Sequence, residues 1–227
     1  MIVLHHLNNS RSQRILWLLE ELGLDYELKV YQRNSKTQLA PDELKAVHPL
    51  GKSPVLTDGD QTIAESGLII DYLIQTYAPQ WQPEAGTTAW YDNQYWLHFA
   101  EGSLMPPLLL TLVFDTIRKS RMPFIAKPIA RAIADRVTKQ FVSPDIERLL
   151  NFINAQLEGR DWFIADQPCG ADFQMSFPLE AARARGLVTD AQHPNILRFL
   201  NQVAQREAYQ RALQQGGRYA YALKKTA

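Results

Sequence analysis

The chain has 227 residues, with 24 Lys+Arg against 24 Asp+Glu, 46% hydrophobic residues and 10% aromatic ones. At roughly 150 residues per domain that is one or two domains, long enough to bury about 70% of the unfolded surface without a disulfide or metal staple. Charge balance argues against a nucleic-acid protein, which needs surplus cation to displace phosphate counterions, and the apolar content argues against disorder.

The amino terminus, through Ser12, is too short and too polar for a signal peptide. Ile2-Val3-Leu4 is a β-branched run that ends in the polar stretch Leu7-Asn8-Asn9-Ser10-Arg11. From Ser12 the period changes, because Ile15, Leu18, Leu19 and Leu22 mark one apolar helix face. Gly23 stands where a glycine would end that helix. Tyr26–Tyr31 alternates as a half-buried strand, which completes a βαβ unit. A short helix begins near Pro41 and stops by His48-Pro49. Ser53–Thr57 and Gln61–Ala64 flank Asp58-Gly59-Asp60 as a hairpin, and another helix follows from Gly67 to Tyr77.

Residues 1–80 thus read as an α/β domain, and 81–87, with Pro83 and Ala85-Gly86-Thr87, as a linker. Residues 88–227 carry only helical spacing, in stretches Trp90–Ile117, Ala126–Phe141, Asp145–Leu157, Ala171–Ala184 and Asn195–Gln214. No run approaches about 18 apolar residues, so no membrane-spanning helix is expected, and the expected location is cytoplasmic. The single cysteine, Cys169, excludes an internal disulfide, a CxxC pair and a cysteine-rich zinc site.

Several motifs fail on inspection. Gly51-Lys52-Ser53 lacks the leading glycine of a phosphate loop and is followed by a strand rather than a helix. His5 and His6 are adjacent on a strand, point to opposite faces and cannot share a metal. Ser66 lacks the first glycine of a nucleophile elbow. The basic stretch with Lys127, Arg131, Arg136 and Lys139 reads as a solvated helix face.

Three elements carry chemistry. The loop Asn8–Ser12 joins a strand to a helix start, where backbone N–H groups and the helix dipole favour an anion. Taken alone, the loop favours the plainer reading, in which Ser12 or Ser10 is a helix cap. Ser53-Pro54 precedes a strand at a place where a cis proline would leave backbone groups open to an extended peptide. Glu65-Ser66 opens a further helix and could hold a carboxylate. Together they describe a pocket for a small peptide bearing a thiol or a carboxylate.

With these residues in view, the chain resembles the cytosolic glutathione transferases over essentially its whole length. The likeness rests on Ser10–Leu22, on His48-Pro49-Leu50-Gly51-Lys52-Ser53-Pro54-Val55-Leu56 and on Ala64-Glu65-Ser66-Gly67. Glu101–Leu108 and Gly170-Ala171-Asp172 add to it, and it leans toward a bacterial and fungal branch with a serine in the first loop. The resemblance implies a thioredoxin-like first domain, an all-α second domain and a homodimer that takes glutathione as co-substrate without a metal, a nucleic acid or a membrane span. It makes Ser10 the catalytic residue that activates the thiol, with Asn9 as the other residue placed to reach the sulfur. By the same likeness Ser53 and Pro54 (the family's cis proline) meet the cysteinyl unit, Glu65 and Ser66 the γ-glutamyl end, and Lys52 a carboxylate. A hydrophobic substrate pocket is expected around Met105 and Phe114. The implied activity is conjugation of glutathione to small hydrophobic electrophiles in detoxification, or reduction of hydroperoxides. The alternatives are a non-catalytic glutathione-binding or scaffold protein, and a thiol-disulfide reductase, which the lack of a first-loop cysteine disfavours.

Overall fold

The computed structural model describes residues 1–223 apart from 36, 38 and 165. Strand β1 (Ile2–Leu7) runs parallel to β2 (Tyr26–Tyr31), with Ile2 opposite Tyr26 and Leu7 opposite Tyr31. Helix α1 (Ser12–Leu22) connects them. After α2 (Asp42–Val47), β3 (Val55–Asp58) and β4 (Gln61–Ala64) pair antiparallel and lead into α3 (Ser66–Tyr77). β3 lies antiparallel on the other side of β1, so the sheet order is β2-β1-β3-β4. That order makes β1 an inner strand, and its end delivers the loop 8–11 over the middle of the sheet. Gly23 ends α1 at φ 63°, and its N–H reaches the Glu20 and Leu19 carbonyls; a residue with a Cβ would be strained there.

The remainder is helical. Helix α4 (Thr88–Phe99) continues through a π turn, Ala100–Leu104, into α5 (Met105–Lys119). Helix α6 (Ala126–Val137) continues likewise through Thr138–Val142 into α7 (Ser143–Gln156). The sequence spacing leaves a break before Asp145, whereas the rod is unbroken. Each π turn lies just ahead of a proline, Pro106 or Pro144. Proline has no N–H for the regular helical bond and its ring crowds the preceding turn, and a wider turn absorbs both. Helices α8 (Gly170–Ala184), α9 (Pro194–Gln205) and α10 (Glu207–Gly216) follow. The single stretch expected over 195–214 is split at Arg206, whose ψ of 128° is extended.

Segment 88–119 is long and apolar enough to cross a membrane by length and composition, although it holds no unbroken apolar run of that length. In the fold its Trp96, Leu97, Phe99, Ala100, Leu104 and Leu108 are core residues. The centre of that core is α8, which is buried along nearly its whole length and packs against α1, α3, α4 and α9. The Asp172 carboxylate closes the start of α8, accepting the Cys169 N–H at 2.8 Å and the Phe163 N–H at 2.9 Å.

Two polar links tie the halves together. Arg14 on α1 is wholly buried; its Nη1 donates to the Gln174 carbonyl and to Gln174 Oε1, both at 2.7 Å, and its Nη2 donates to Glu101 Oε1 at 2.7 Å. Glu101 sits on the first π turn and also accepts Arg11 Nε at 2.9 Å with both oxygens. The second link is carboxyl-terminal. Glu180 on α8, itself buried, accepts the hydroxyls of Tyr209 at 2.6 Å and Tyr219 at 2.5 Å, and the Ala220 N–H donates to Asn9 Oδ1 at 2.7 Å. The last described residues are thereby fastened beside the first loop.

Each link gives an expected outcome. Replacing Glu101 by Ala leaves the buried Arg14 charge without its carboxylate and costs about 3 kcal/mol in chemical denaturation; a loss below about 1 kcal/mol would mean that Gln174 alone suffices. Burial pushes the Glu180 carboxyl from 4.5 up to about 7. The folded state therefore holds a proton that the unfolded chain has released. The resulting stability, on the order of 3 kcal/mol, is complete below about pH 4 and is lost as the pH rises through about 7. Between pH 5 and 8 the thermal midpoint of the native protein falls relative to that of Glu180→Gln, and parallel profiles would contradict this assignment.

Candidate active site

The loop after β1 turns on Asn9, which adopts φ 50°. Asparagine tolerates this left-handed region better than most residues. Its carbonyl and that of Asn8 receive the Arg33 guanidinium at 3.4 and 3.3 Å, and Asn8 Oδ1 accepts the Arg33 N–H at 3.0 Å. Ser10 then enters α1. The helix start is less open than its position in sequence suggests. The Gln13 and Arg14 N–H groups are taken by the Ser10 and Arg11 carbonyls, and the Ser12 N–H donates to Ser10 Oγ at 3.2 Å. The Arg11 N–H has no partner among the described residues. Asn9, Ser10 and Arg11 all line the cleft at this end of the helix.

Ser10 is 6% exposed, and its Oγ lies 2.8 Å from Ser12 Oγ and 3.4 Å from Ser53 Oγ. Ser53 Oγ donates to the His5 carbonyl at 3.0 Å and accepts the Leu7 N–H at 3.2 Å, which pins the end of β1 to the start of β3. The Ser53–Pro54 peptide is cis. The backbone N–H and C=O of Ser53 stand outside the sheet ladder and take no partner among the described residues. Across from them, Glu65 precedes α3 at φ 71°. Asn9 and Glu65 are the non-glycine residues with positive φ among those described, and both border this cleft. Strained backbone of this kind collects at functional sites.

The cleft holds about 460 Å³ and is lined by Asn9, Ser10, Lys52, Ser53, Pro54, Glu65 and Ser66. The seven glutathione-site candidates named from sequence thus share one cavity. Ser66 and Pro54 are buried, whereas Lys52 and Glu65 are exposed. Met105 and Phe114 lie elsewhere. Met105 is 8% exposed in the core, and Phe114 packs partly buried against that core. The apolar wall of the cleft is formed by Leu109 on α5 and Phe177 on α8, with Leu39 and Leu50 opposite. Spacing on a single helix cannot show which turn faces a neighbouring domain, so Leu109 was not separable from Met105.

Arg11, Arg33 and Glu101 also line the cleft and were not singled out from sequence for this role. The guanidinium carbons of Arg11 and Arg14 lie 5.7 and 5.2 Å from the Phe177 ring centre, so one aromatic face meets two cations. Burial pushes the Glu101 carboxyl up, but Arg14 and Arg11 together hold it below its ordinary value. It is an anion at neutral pH, and it offsets the positive charge at the loop. A second depression of similar volume, between α1 and α10, presents Arg206 and Arg211. Those cations are already paired with Glu21 and Glu20, so it offers an anion little.

Residues 1–75 match the family model for the glutathione S-transferase N-terminal domain, and residues 119–207 match that for the C-terminal domain. The chain is 34% identical to glutathione S-transferase 1 of Saccharomyces cerevisiae over 218 residues, which covers 92% of each chain. It is 36% identical to glutathione S-transferase 3 of Schizosaccharomyces pombe over 209 residues, 92% of this chain and 85% of the other. Among solved structures, a glutathione S-transferase from Actinobacillus pleuropneumoniae superposes with a TM-score of 0.78 at 39% identity, over 95% of this chain and 93% of that one. With its thioredoxin-like first domain and helical second domain, the chain belongs to the glutathione S-transferase family and is a glutathione transferase.

Proposed function

We propose that the cleft holds glutathione extended along the Ser53–Pro54 edge, with its sulfur at Ser10, and delivers the thiolate to a small hydrophobic electrophile lodged against Leu109 and Phe177. The observation that carries this reading is convergence. A buried hydroxyl, an unpaired peptide edge and a serine at a helix start, contributed by three separate segments, open into one cavity. The cysteinyl unit pairs with the Ser53 backbone as a short added strand. The γ-glutamyl carboxylate lies at Ser66 and the start of α3, with its ammonium toward Glu65. Lys52 takes the other carboxylate.

The energetics are sufficient. A free thiol ionises near pH 8.5, and lowering that to about 6.5 requires roughly 2.7 kcal/mol in favour of the anion. A hydrogen bond from the Ser10 hydroxyl to charged sulfur supplies roughly 1.5–3 kcal/mol. The helix end adds about 0.3–1 kcal/mol. The bound thiolate then attacks an electrophilic carbon, forming the C–S bond as the leaving group departs with its electron pair. A hydroperoxide oxygen is the other acceptor that such a thiolate reaches.

The exposed apolar side chains of the helical domain support a homodimer. Tyr91, Leu110, Leu112, Phe124, Ile129 and Ile133 are all more than two-fifths exposed on α4–α6 and the segment between them. Surface of that kind favours a partner of like character.

Two outcomes are expected. Ser10→Ala lowers turnover by roughly ten- to a hundredfold while leaving glutathione affinity within a few-fold. Unchanged turnover would shift the role to Asn9 or to the Arg11 N–H. In light scattering the protein runs at twice its 25.9 kDa chain mass, and Ile129→Glu moves it toward the single-chain value. A native protein already at the single-chain mass contradicts the dimer.

A further inference from the structure

Arg11 follows Ser10 directly, yet the two side chains make their contacts on different domains. Ser10 Oγ turns to the sheet, 2.8 Å from Ser12 Oγ and 3.4 Å from Ser53 Oγ. The Arg11 guanidinium crosses to the helical domain, where Nε donates to both Glu101 oxygens at 2.9 Å. Its central carbon stands 5.7 Å from the centre of the Phe177 ring. Arg11, Glu101, Leu109 and Phe177 all line the cleft. A cation is therefore fixed among the apolar groups that the helical domain contributes, whereas the Ser53–Pro54 edge belongs to the sheet domain.

A guanidinium carries five N–H donors. Glu101 engages the one on Arg11 Nε, and the four on the Nη atoms take no hydrogen bond among the described residues. The side chain is only 35% exposed, so most of it is withdrawn from water while most of its donors stay open. Its charge is also incompletely matched. Glu101 is shared with the wholly buried Arg14, whose Nη2 it meets at 2.7 Å. One carboxylate between two guanidiniums leaves a positive excess of one, and apolar walls strengthen its pull on a nearby anion. The Phe177 ring face tempers that excess without supplying a hydrogen-bond acceptor.

Conjugate addition calls for such a group beyond the reacting carbon. When a thiolate adds to the β carbon of an unsaturated carbonyl, the C–S bond forms and the C=C electron pair shifts toward the carbonyl. The carbonyl oxygen takes up the charge as an enolate, and no leaving group departs. The α carbon then takes a proton from water, and the hydroxide left behind is neutralised by the proton that the glutathione thiol gave up. Charge that began on sulfur thus passes to an oxygen several bonds away. A hydroxyl at the sulfur cannot follow it, but a guanidinium with open donors at the other end of the substrate receives it. Halide displacement differs, because the charge departs on an ion that accepts hydrogen bonds weakly.

Resting on the assignment of this cleft to glutathione and an apolar electrophile, we propose that Arg11 is a catalytic and specificity-determining residue. Its Nη groups receive the oxygen to which charge moves, so the cleft selects electrophiles whose reactive carbon is conjugated to a carbonyl. Leu109 and Phe177 hold the hydrocarbon part of such a substrate, and Glu101 keeps the guanidinium on the helical-domain side.

The test compares benzylideneacetone, an aryl enone, with benzyl chloride, a halide of similar apolar character, as acceptors for glutathione in the full-length protein. In Arg11→Gln the ratio of kcat/KM for the enone to that for the chloride falls about ten- to a hundredfold, the effect of one lost charge-assisted hydrogen bond. Arg11→Lys, which keeps the charge and a donor, recovers part of that ratio. The ionisation of bound glutathione, read from thiolate absorbance, moves by less than about half a pH unit in both variants. An unchanged ratio in Arg11→Gln overturns the proposal. So does an equal loss on both acceptors together with a raised thiol ionisation, which would place Arg11 at the sulfur instead. Should Arg11→Gln fail to fold, Arg11→Met, which keeps the stem against Phe177, reads the same ratio. The underlying reading fails separately: a parent protein whose turnover of both acceptors shows no saturation with glutathione would overturn the assignment of the cleft itself.

Discussion

A guanidinium with no exposed surface sits between the two domains, and much of the rest depends on how it is satisfied. Arg14 is charged in an interior where an isolated ion costs several kcal/mol. It is tolerable only because Gln174 offers two oxygens, Glu101 a carboxylate and Phe177 a ring face. Those groups come from α8, from the π turn after α4 and again from α8. Satisfying one side chain of the first domain thus fixes the placement of the second domain to within hydrogen-bond tolerance. The same carboxylate reaches Arg11, the residue next to Ser10. The interdomain lock and the wall of the cleft are therefore one network.

This arrangement divides labour between rigid and strained parts. The sheet supplies fixed points, since Ser53 is tied to β1 through both the His5 carbonyl and the Leu7 N–H. The loop between β1 and α1 carries Asn9, Ser10 and Arg11 into the cleft, and it is held from four sides. Arg33 takes its carbonyls, Ala220 takes the Asn9 side chain, Glu101 takes Arg11, and Ser12 takes Ser10. A hydroxyl that is to stabilise a thiolate must not rotate away when the anion forms, because pre-organisation is where the stabilisation arises. The positive φ of Asn9 is maintained by these contacts rather than by the local sequence alone.

Much of this was legible in the sequence, and the remainder was not for identifiable reasons. Local rules place α1 and its end at Gly23, the strand 26–31 and the hairpin around Gly59, because periodicity and turn residues act over a few positions. The seven candidates read from the sequence, six polar residues and Pro54, fall together in the cleft because they lie at or beside the ends of elements, where backbone groups are open. The π turns before Pro106 and Pro144 were hidden, since a proline in a helical pattern usually predicts a break rather than a widened turn. Met105 and Leu109 lie one turn apart on one apolar helix, and only packing against α8 decides which faces the cleft. Glu101 and Phe177 acquire their roles from Arg11 and Arg14 in another domain, a pairing that spacing along the chain cannot display. His6 is the sharpest example. As a histidine on a strand it reads as core, and its Nδ1 lies 2.9 Å from Ser12 Oγ only because the loop folds back over β1.

The central claim is that this cleft makes glutathione a thiolate near neutral pH using a serine hydroxyl and the start of α1. The most direct measurement is the thiolate difference absorbance of the wild-type complex with glutathione, titrated from about pH 5 to 10. The account predicts that the bound thiol ionises near 6.5, about two pH units below the free thiol. A complex that forms but ionises near 8.5 would contradict it, and would leave the cleft a place of binding without activation.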